Sequence, residues 1–546
     1  MEEVDKPASE RASAEDATTP VLGETAPLDT VELRQLKLVR RFGVTGALLL
    51  AAGSLGASAS PVFNPLVTTP FLGLFVRMPT VELACALIGM AMIVVAWLWL
   101  GRFVRPGRPR LISSRQLYRT MITWAAPLLV VPPMFSRDVY SYLAQSKIAA
   151  LGLDPYKLGP VPALGVSDPL TRGVDSIWRD TPAPYGPLFL YIGRWLNALS
   201  GDHVVTGVYL QRLLELVGIA MIMWAVPRLA RRFGVQPVSA LWLGAANPLL
   251  IWHLLIGVHN EALMIGLMLA GFEIALIGLP TLTKVASPPS VTRREILWLL
   301  AGVAVITLGV AVKLSALPTL GFLGVLVARR WGGRLRHLVW AALVVTGVFV
   351  VLTVIISVGT GLGFGWVNAL SNNGIVLSWE SPVTAVGFLA GGLGIVLGLG
   401  NHTLTTVGVM RWLGEIISVL VAIRLLWSGY RGRIHPMIGL GLALGTVALL
   451  SATVQPWYLL WAIVPLAASV NNAKFRTATA VVSAAYGMVT PLPTGGPISA
   501  GYVGIDAYVA AAIVFAIVLL LVRRRIPIFR DNTIHPARPE LAGHLG

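Results

Sequence analysis

The sequence predicts an all-α, polytopic integral membrane protein, and three observations predict it. Hydrophobic residues make up 55% of the 546 and charged residues 12%, too few charges to cover a soluble chain this long. Apolar runs of about 20 residues, each enough for one crossing, recur along most of the chain, about 13 to 15 in all. The basic residues cluster between these runs as the positive-inside rule arranges them. The net charge of +17 therefore reflects membrane orientation and not nucleic-acid binding.

Taken in order, residues 1–38 make up a tail whose first 33 residues are polar and acidic, with no short apolar core and no small-residue cleavage site. They predict a disordered cytoplasmic tail and not a signal peptide. Residues 39–525 form the membrane domain, and 526–546 a second cytoplasmic tail. Arg34, Lys37, Arg40 and Arg41 place the N-terminus inside; the cluster from Arg102 to Arg119 returns to that side two spans later. Further clusters follow at Arg228/Arg231/Arg232, Lys284/Arg293/Arg294, Arg329–Arg336, Arg424–Arg433, Lys474/Arg476 and Arg523–Arg525. Cys85 lies alone in an apolar run, which excludes an intrachain disulfide, a cysteine zinc cluster and an iron–sulfur site.

Keeping every basic cluster inside leaves two apolar segments that break the parity of the spans. Pro187–Ser200, which carries Arg194, and the glycine-rich Pro382–Leu399 are therefore expected to be interfacial or re-entrant. The same parity places Pro61–Thr80, Phe135–Pro184, Gly257–Asn260, Lys313–Pro318, Gly359–Pro382, Gln455–Trp457 and Pro491–Gly504 on the outer face. Nearly every short motif with chemical character lies there.

Asp138 follows the proline-broken third run, Met121 to Met134, with Arg137 beside it. The stretch after it puts Tyr140, Leu143, Ala144, Ile148 and Leu151 on one stripe, predicting a helix lying flat at the membrane surface. Asp138 could serve chemistry, cap that helix, or both. Asp154 and Pro155 in GLDPY end it in a turn. Tyr185, in the proline-rich DTPAPYGP, could line a sugar pocket, though prolines so spaced are more often structural.

His259, Asn260 and Glu261 stand between two apolar runs with almost no loop. Ionisable groups there are costly unless paired or wet, which favours function over a helix cap. His259 and Glu261 could also hold a divalent cation, although no second His/Asp pair completes a set. Lys313, between apolar runs, requires an anionic partner, either a phosphate or a paired carboxylate. Arg212 and Glu215, at i and i+3, are expected to satisfy each other, and Arg411 and Glu415 likewise. Trp379–Pro382 (WESP) and Gln455–Trp461 (QPWYLLW) suit an aromatic belt, but Gln455 also places an amide at a helix start.

In their order, SRDVYSYLAQ (136–145), GLDPY (152–156), PYGP (184–187), HNE (259–261) and QPWYLLW (455–461) resemble the GT-C superfamily of polyprenyl-phosphate-sugar-dependent glycosyltransferases. The resemblance is greatest to the actinobacterial polyprenol-phosphomannose-dependent α-(1→6)-mannosyltransferases of the MptB type. It implies a GT-C fold whose outer-face loop at 135–200 carries the catalytic acid, here Asp138 as general base. It also implies a β-linked mannosyl phosphate donor, an α-linked product and hence inversion, with a lipid-anchored mannan as acceptor at the plasma membrane.

A phosphate leaves as a stable anion without an acid, so one carboxylate suffices. A glycosidase needs two, about 5–5.5 or 6.5–9.5 Å apart. Lys313 and Arg137, with Arg194 behind them, are the candidate cations for the phosphate, and His259 for phosphate or sugar. Tyr140, Tyr185, Asn260, Glu261, Gln455, Trp457 and Tyr458 complete the expected substrate contacts. No cofactor is required. An arabinosyltransferase using decaprenyl-phosphate-arabinose and, in another class, a secondary transporter or lipid flippase are the competing readings.

Overall fold

A computed structural model describes residues 26–525 apart from 109, 202, 280–290, 370–380 and 490–501. Among the described residues the fold is helical, with a single isolated bridge between Ala26 and Arg110 in place of any strand. Trp379 and Glu380 of WESP, the Lys284 part of one basic cluster, Pro491–Gly501 and the C-terminal tail lie outside the described residues.

Helix α1 (Thr30–Gly53) begins inside the expected tail. Asp29 accepts the Glu32 N–H and Glu32 accepts the Asp29 N–H, a reciprocal cap that starts a helix here. Arg110 and Arg108 pair with the same two carboxylates at 2.5 and 2.7 Å and hold this end down. Helix α2 (Pro79–Gly101) packs along α1. The third apolar run is not a full span. Helix α3 (Ser114–Ala125) and one 3-10 turn end at Leu128, because Pro127, Pro132 and Pro133 withhold donors and stop the helix.

Helix α4 (Asp138–Ala150) corrects the surface-helix expectation. It is buried on nearly all sides, Ser141, Gln145 and Ser146 included, under α5 (Pro187–Ser200), α6 (Val204–Arg232) and two short helices at Pro160–Leu164 and Pro169–Gly173. The GLDPY turn forms as expected, with Asp154 accepting the Tyr156 N–H at 2.9 Å.

After α7 (Pro237–Gly244) comes a π-helical segment, Leu250–Ile256. It meets α8 (Glu261–Ile277) at a bend of 107°. Helix α8 is buried along almost its whole length between α6 and α9 (Arg293–Val312). Small residues allow that: a Cβ on Gly266 would stand 2.5 Å from the Gly218 carbonyl oxygen, and one on Gly302 2.5 Å from that of Gly271.

Helices α10 (Pro318–Arg330), α11 (Leu335–Gly359), α12 (Pro382–Val396), α13 (Thr403–Tyr430), α14 (Pro436–Leu450), α15 (Leu459–Ser469), α16 (Ala473–Val489) and α17 (Tyr502–Arg525) complete the bundle. Among the described residues five helices are long and apolar enough to cross a membrane, six with the bent pair counted as one span, and four shorter apolar helices join them. Among the described residues there are thus fewer full-length apolar helices than the about 13 to 15 spans expected, because prolines and turns break several of the runs. Helices α11 and α13 expose most of their apolar faces, as lipid-facing helices do.

The bundle is polarised. Glu261 at the start of α8 and Lys313 after α9 share one end. The opposite end carries Arg232 bound through two bonds to Glu273 (2.8 and 2.9 Å) and Arg330 bound to Glu295 (3.3 Å). Glu415 is exposed and forms no ion pair with Arg411 among the described residues. An exposed glutamate gains little from such a pair.

Candidate active site

The approach to Asp138 is strained. Phe135 has φ +68°, and its ring packs against Trp252 and His253 with centroids 6.0 and 5.9 Å away. A bulky residue at positive φ persists only where its surroundings fix it, and such strain gathers at functional sites. The Ser136 hydroxyl then accepts the Asp138 N–H at 3.0 Å. Asp138 is the first residue of α4, its side chain makes no cap bond, and the expected capping role falls to Ser136.

The freed carboxylate turns to His259, whose Nδ1 lies 3.4 Å from Oδ2. Asp138 is 25% exposed, whereas His259 and Glu261 are fully buried, so of the three it is the acid that opens outward. Burial alone raises its pKa. The contact and charge of His259, the Lys313 ammonium and the Ser136 bond outweigh that, holding the carboxyl below its ordinary range and therefore ionised.

The 107° bend delivers His259. The π segment shifts the helical register by inserting an extra residue, and Val258 at φ +58° turns the chain out of it. The His259 ring then stacks on Trp457, 3.8 Å between centroids and tilted 31°, with Nδ1 also 3.9 Å from Glu261. Glu261 holds the Lys313 ammonium in a very short contact. Lys313 lies over the rings of Tyr458 and Trp461 at 5.1 and 5.6 Å, and those two rings stack at 4.3 Å. Of its two expected anionic partners, the lysine has a carboxylate within the fold.

Tyr142 closes another side. It sits edge-on to Tyr185 at 5.0 Å, and its hydroxyl oxygen lies 3.5 Å from the Asn260 N–H. Burial pushes both phenols well above their ordinary range and keeps them neutral donors. Asn260, both ring nitrogens of His253 and of His259, one Glu261 oxygen and Trp461 Nε1 are buried without a hydrogen-bond partner. Buried polar groups are nearly always paired, so such a concentration suits a polar ligand with many hydroxyls.

The fold thus brings Asp138, Tyr185, His259, Asn260, Glu261, Lys313, Trp457 and Tyr458 together. Three expected contacts point elsewhere. The Tyr140 hydroxyl donates to the Ala59 carbonyl at 2.6 Å with the side chain fully buried. Arg137 donates to the Gly173 carbonyl at 3.1 Å, and Arg194 to that of Thr360 at 3.0 Å, over the Tyr191 ring. Gln455 is half-buried at the start of the turn that carries Trp457. Sequence reasoning missed Tyr142, His253 and Trp461. Tyr142 lies one turn from Asp138, Trp461 one turn from Tyr458, and helical spacing alone suggests both. Among the described residues no group of three or more His, Cys, Asp or Glu is arranged to hold a metal ion.

One ionised carboxylate, Asp138, and one fixed ammonium, Lys313, thus stand together at this end of the helical bundle. In class, the protein is a membrane glycosyltransferase. Residues 40–329 match the family model for the alpha-(1→6)-mannopyranosyltransferase N-terminal domain, and 383–520 that for the MptB C-terminal domain. The chain is 45% identical over 525 residues to a probable alpha-(1→6)-mannopyranosyltransferase of Mycolicibacterium smegmatis, covering 94% of this chain and 93% of that one. It is 45% identical over 535 residues (92% and 90%) to an alpha-(1→6)-mannopyranosyltransferase of Mycobacterium tuberculosis, and 36% identical over 509 residues (91% and 83%) to alpha-(1→6)-mannopyranosyltransferase B of Corynebacterium glutamicum. No solved structure matches. The chain belongs to the alpha-(1→6)-mannopyranosyltransferase family. Asp138, His259, Glu261 and Lys313 come from the first matched region and Trp457, Tyr458 and Trp461 from the second, so the site is assembled from both.

Proposed function

We propose that this protein transfers mannose, with inversion, from polyprenyl-phosphate-mannose to a hydroxyl of a lipid-anchored α-1,6 mannan at the outer face of the plasma membrane. The observation that carries this reading is the ionised Asp138 carboxylate, partly exposed and backed by His259 and Lys313. Asp138 takes the acceptor hydroxyl proton as that oxygen attacks the anomeric carbon. The bond from that carbon to the phosphate oxygen breaks, and the lipid phosphate leaves with the electron pair. Lys313, fixed by Glu261 and two aromatic faces, meets the charge on the departing phosphate. Trp457, against His259, and the stacked pair Tyr458 and Trp461 form an aromatic wall suited to a sugar ring.

The test uses the full-length protein in nanodiscs with radiolabelled polyprenyl-phosphate-mannose and an α-1,6 oligomannoside acceptor. The reading expects an α-linked mannose product, formed at least about a hundredfold more slowly by Asp138→Asn. Transfer from decaprenyl-phosphate-arabinose instead would replace the donor. Lipid-sugar movement across liposomes without any transfer would replace the class.

A further inference from the structure

Helix α8 starts at Asn260, an asparagine in the N-cap position whose side chain makes no capping bond. Asparagine is among the best N-caps because its oxygen accepts the N–H of the second or third helical residue. Here the third residue, Leu263, gives its N–H to Glu215 Oε2 at 3.1 Å. The glutamate comes from the neighbouring α6, where a Cβ on Gly218 would stand 2.3 Å from the Ala262 carbonyl carbon. The two backbones are therefore close enough for one side chain to span the gap. Gln211 Nε2 donates to the other Glu215 oxygen at 2.9 Å.

This overturns the expected Arg212–Glu215 pair. Arg212 donates instead to the Leu129 and Ile256 carbonyls, at 2.7 and 3.4 Å, where the helices before Asp138 and His259 break off. Asn260, relieved of capping, keeps both amide atoms fully buried and without a partner. It stands between His259 and Glu261 with its N–H toward the Tyr142 hydroxyl.

We propose that Glu215 is a positioning residue that caps α8 from outside and so frees the Asn260 carboxamide to hydrogen-bond a sugar hydroxyl in the active site. The ligand rests on the glycosyl-transfer reading; the cap does not.

The test compares Asn260→Ala, Glu215→Ala, Glu215→Gln and the double variant Glu215→Ala/Asn260→Ala in the full-length protein in nanodiscs. Asn260→Ala should melt at or above the wild-type temperature, because it removes two unpartnered buried polar atoms, while kcat/KM falls at least about tenfold. A rise in donor KM assigns the hydroxyl to the donor sugar, and a rise in acceptor KM to the acceptor. Glu215→Ala should lose a comparable factor, since Asn260 then turns back to the Leu263 N–H. Adding Asn260→Ala to it should cost little more activity. Glu215→Gln should stay within about threefold of wild type, its amide oxygen accepting from Leu263 while Gln211 turns its own amide.

A melting temperature lowered by Asn260→Ala, additive activity losses, or Glu215→Gln as impaired as Glu215→Ala would each overturn the proposal. Should Glu215→Ala not fold, the Asn260→Ala melting temperature and the Glu215→Gln activity still decide it. A wild type without transfer activity sinks the glycosyl-transfer reading and the ligand with it, while the melting temperatures still judge the cap.

Discussion

His259 Nδ1 faces the Asp138 carboxylate at 3.4 Å while its ring stacks on Trp457, so one imidazole ties the acid on α4 to the aromatic wall before α15. The Nδ1 contact crosses more than a hundred residues within the first matched family region, and the Trp457 contact joins that region to the second. The imidazole orients the carboxylate and, with Lys313, keeps it ionised despite its setting.

The first expectation concerns Asp138 itself. Asparagine keeps the shape and removes the base, and a positioned base contributes about 10²–10⁴-fold. Asp138→Asn should lower kcat by that factor, with donor KM and melting temperature close to wild type. Radiolabelled transfer kinetics and a thermal melt measure both. Residual activity above about one tenth of wild type would remove Asp138 from the role of base.

The pH profile should follow from the same contact. The Asp138 pKa is lowered on folding, so its contribution to stability is complete above the unfolded value, about 3.9. That contribution is lost as pH falls through the lower folded value. The acid limb of kcat/KM should therefore lie below about pH 4 in the wild type. His259→Ala removes the leading influence that lowers the pKa and leaves the burial that raises it, so its acid limb should move up. A limb that stays in place, read from initial rates against pH, would show that His259 does not set the ionisation of Asp138.

Glu261 and Lys313 form the second testable pair. Removing one partner of a buried pair leaves an uncompensated charge, costing about 3–5 kcal/mol, whereas removing both often costs far less. Glu261→Gln and Lys313→Met should each lower the melting temperature more than the double variant does. All three should lose donor affinity or turnover, because the ammonium proposed to meet the phosphate is misplaced or gone. A double variant that melts below both singles would contradict the pairing, since Glu261 is fully buried and Lys313 nearly so.

The fold class was legible because charge scarcity and the spacing of basic clusters depend on composition and not on contacts. Asp138, His259, Glu261 and Lys313 stood out for the same reason, as ionisable groups interrupting apolar runs. Their convergence was not legible: it depends on a π segment and a 107° bend that local pattern does not specify. The stripe on α4 misled because an apolar face implies an exposed polar one. Ser141, Gln145 and Ser146 are instead covered by α5 and its neighbours, a tertiary event. The same miss chose Tyr140 over Tyr142, two residues apart on nearly opposite faces. The i, i+3 rule failed for Arg212 because broken helices nearby left carbonyls in need of donors.

Trp457 tests whether the second matched region takes part in chemistry or only completes the bundle. Its ring stacks on His259 and stands 5.1 Å from His253, so it fixes the imidazole that faces the Asp138 carboxylate. An aromatic pair contributes about 0.5–1.5 kcal/mol beyond simple burial, and Trp to Ala in a core costs about 3–5 kcal/mol. Trp457→Phe keeps a ring and should retain most of the melting temperature while kcat falls several-fold. Trp457→Ala should lose stability and nearly all turnover. Because His259 would then be less constrained, the acid limb of Trp457→Phe should move toward that of His259→Ala. A Phe variant with wild-type kcat and an unmoved limb would reduce Trp457 to packing and leave the orientation of Asp138 to residues of the first region alone.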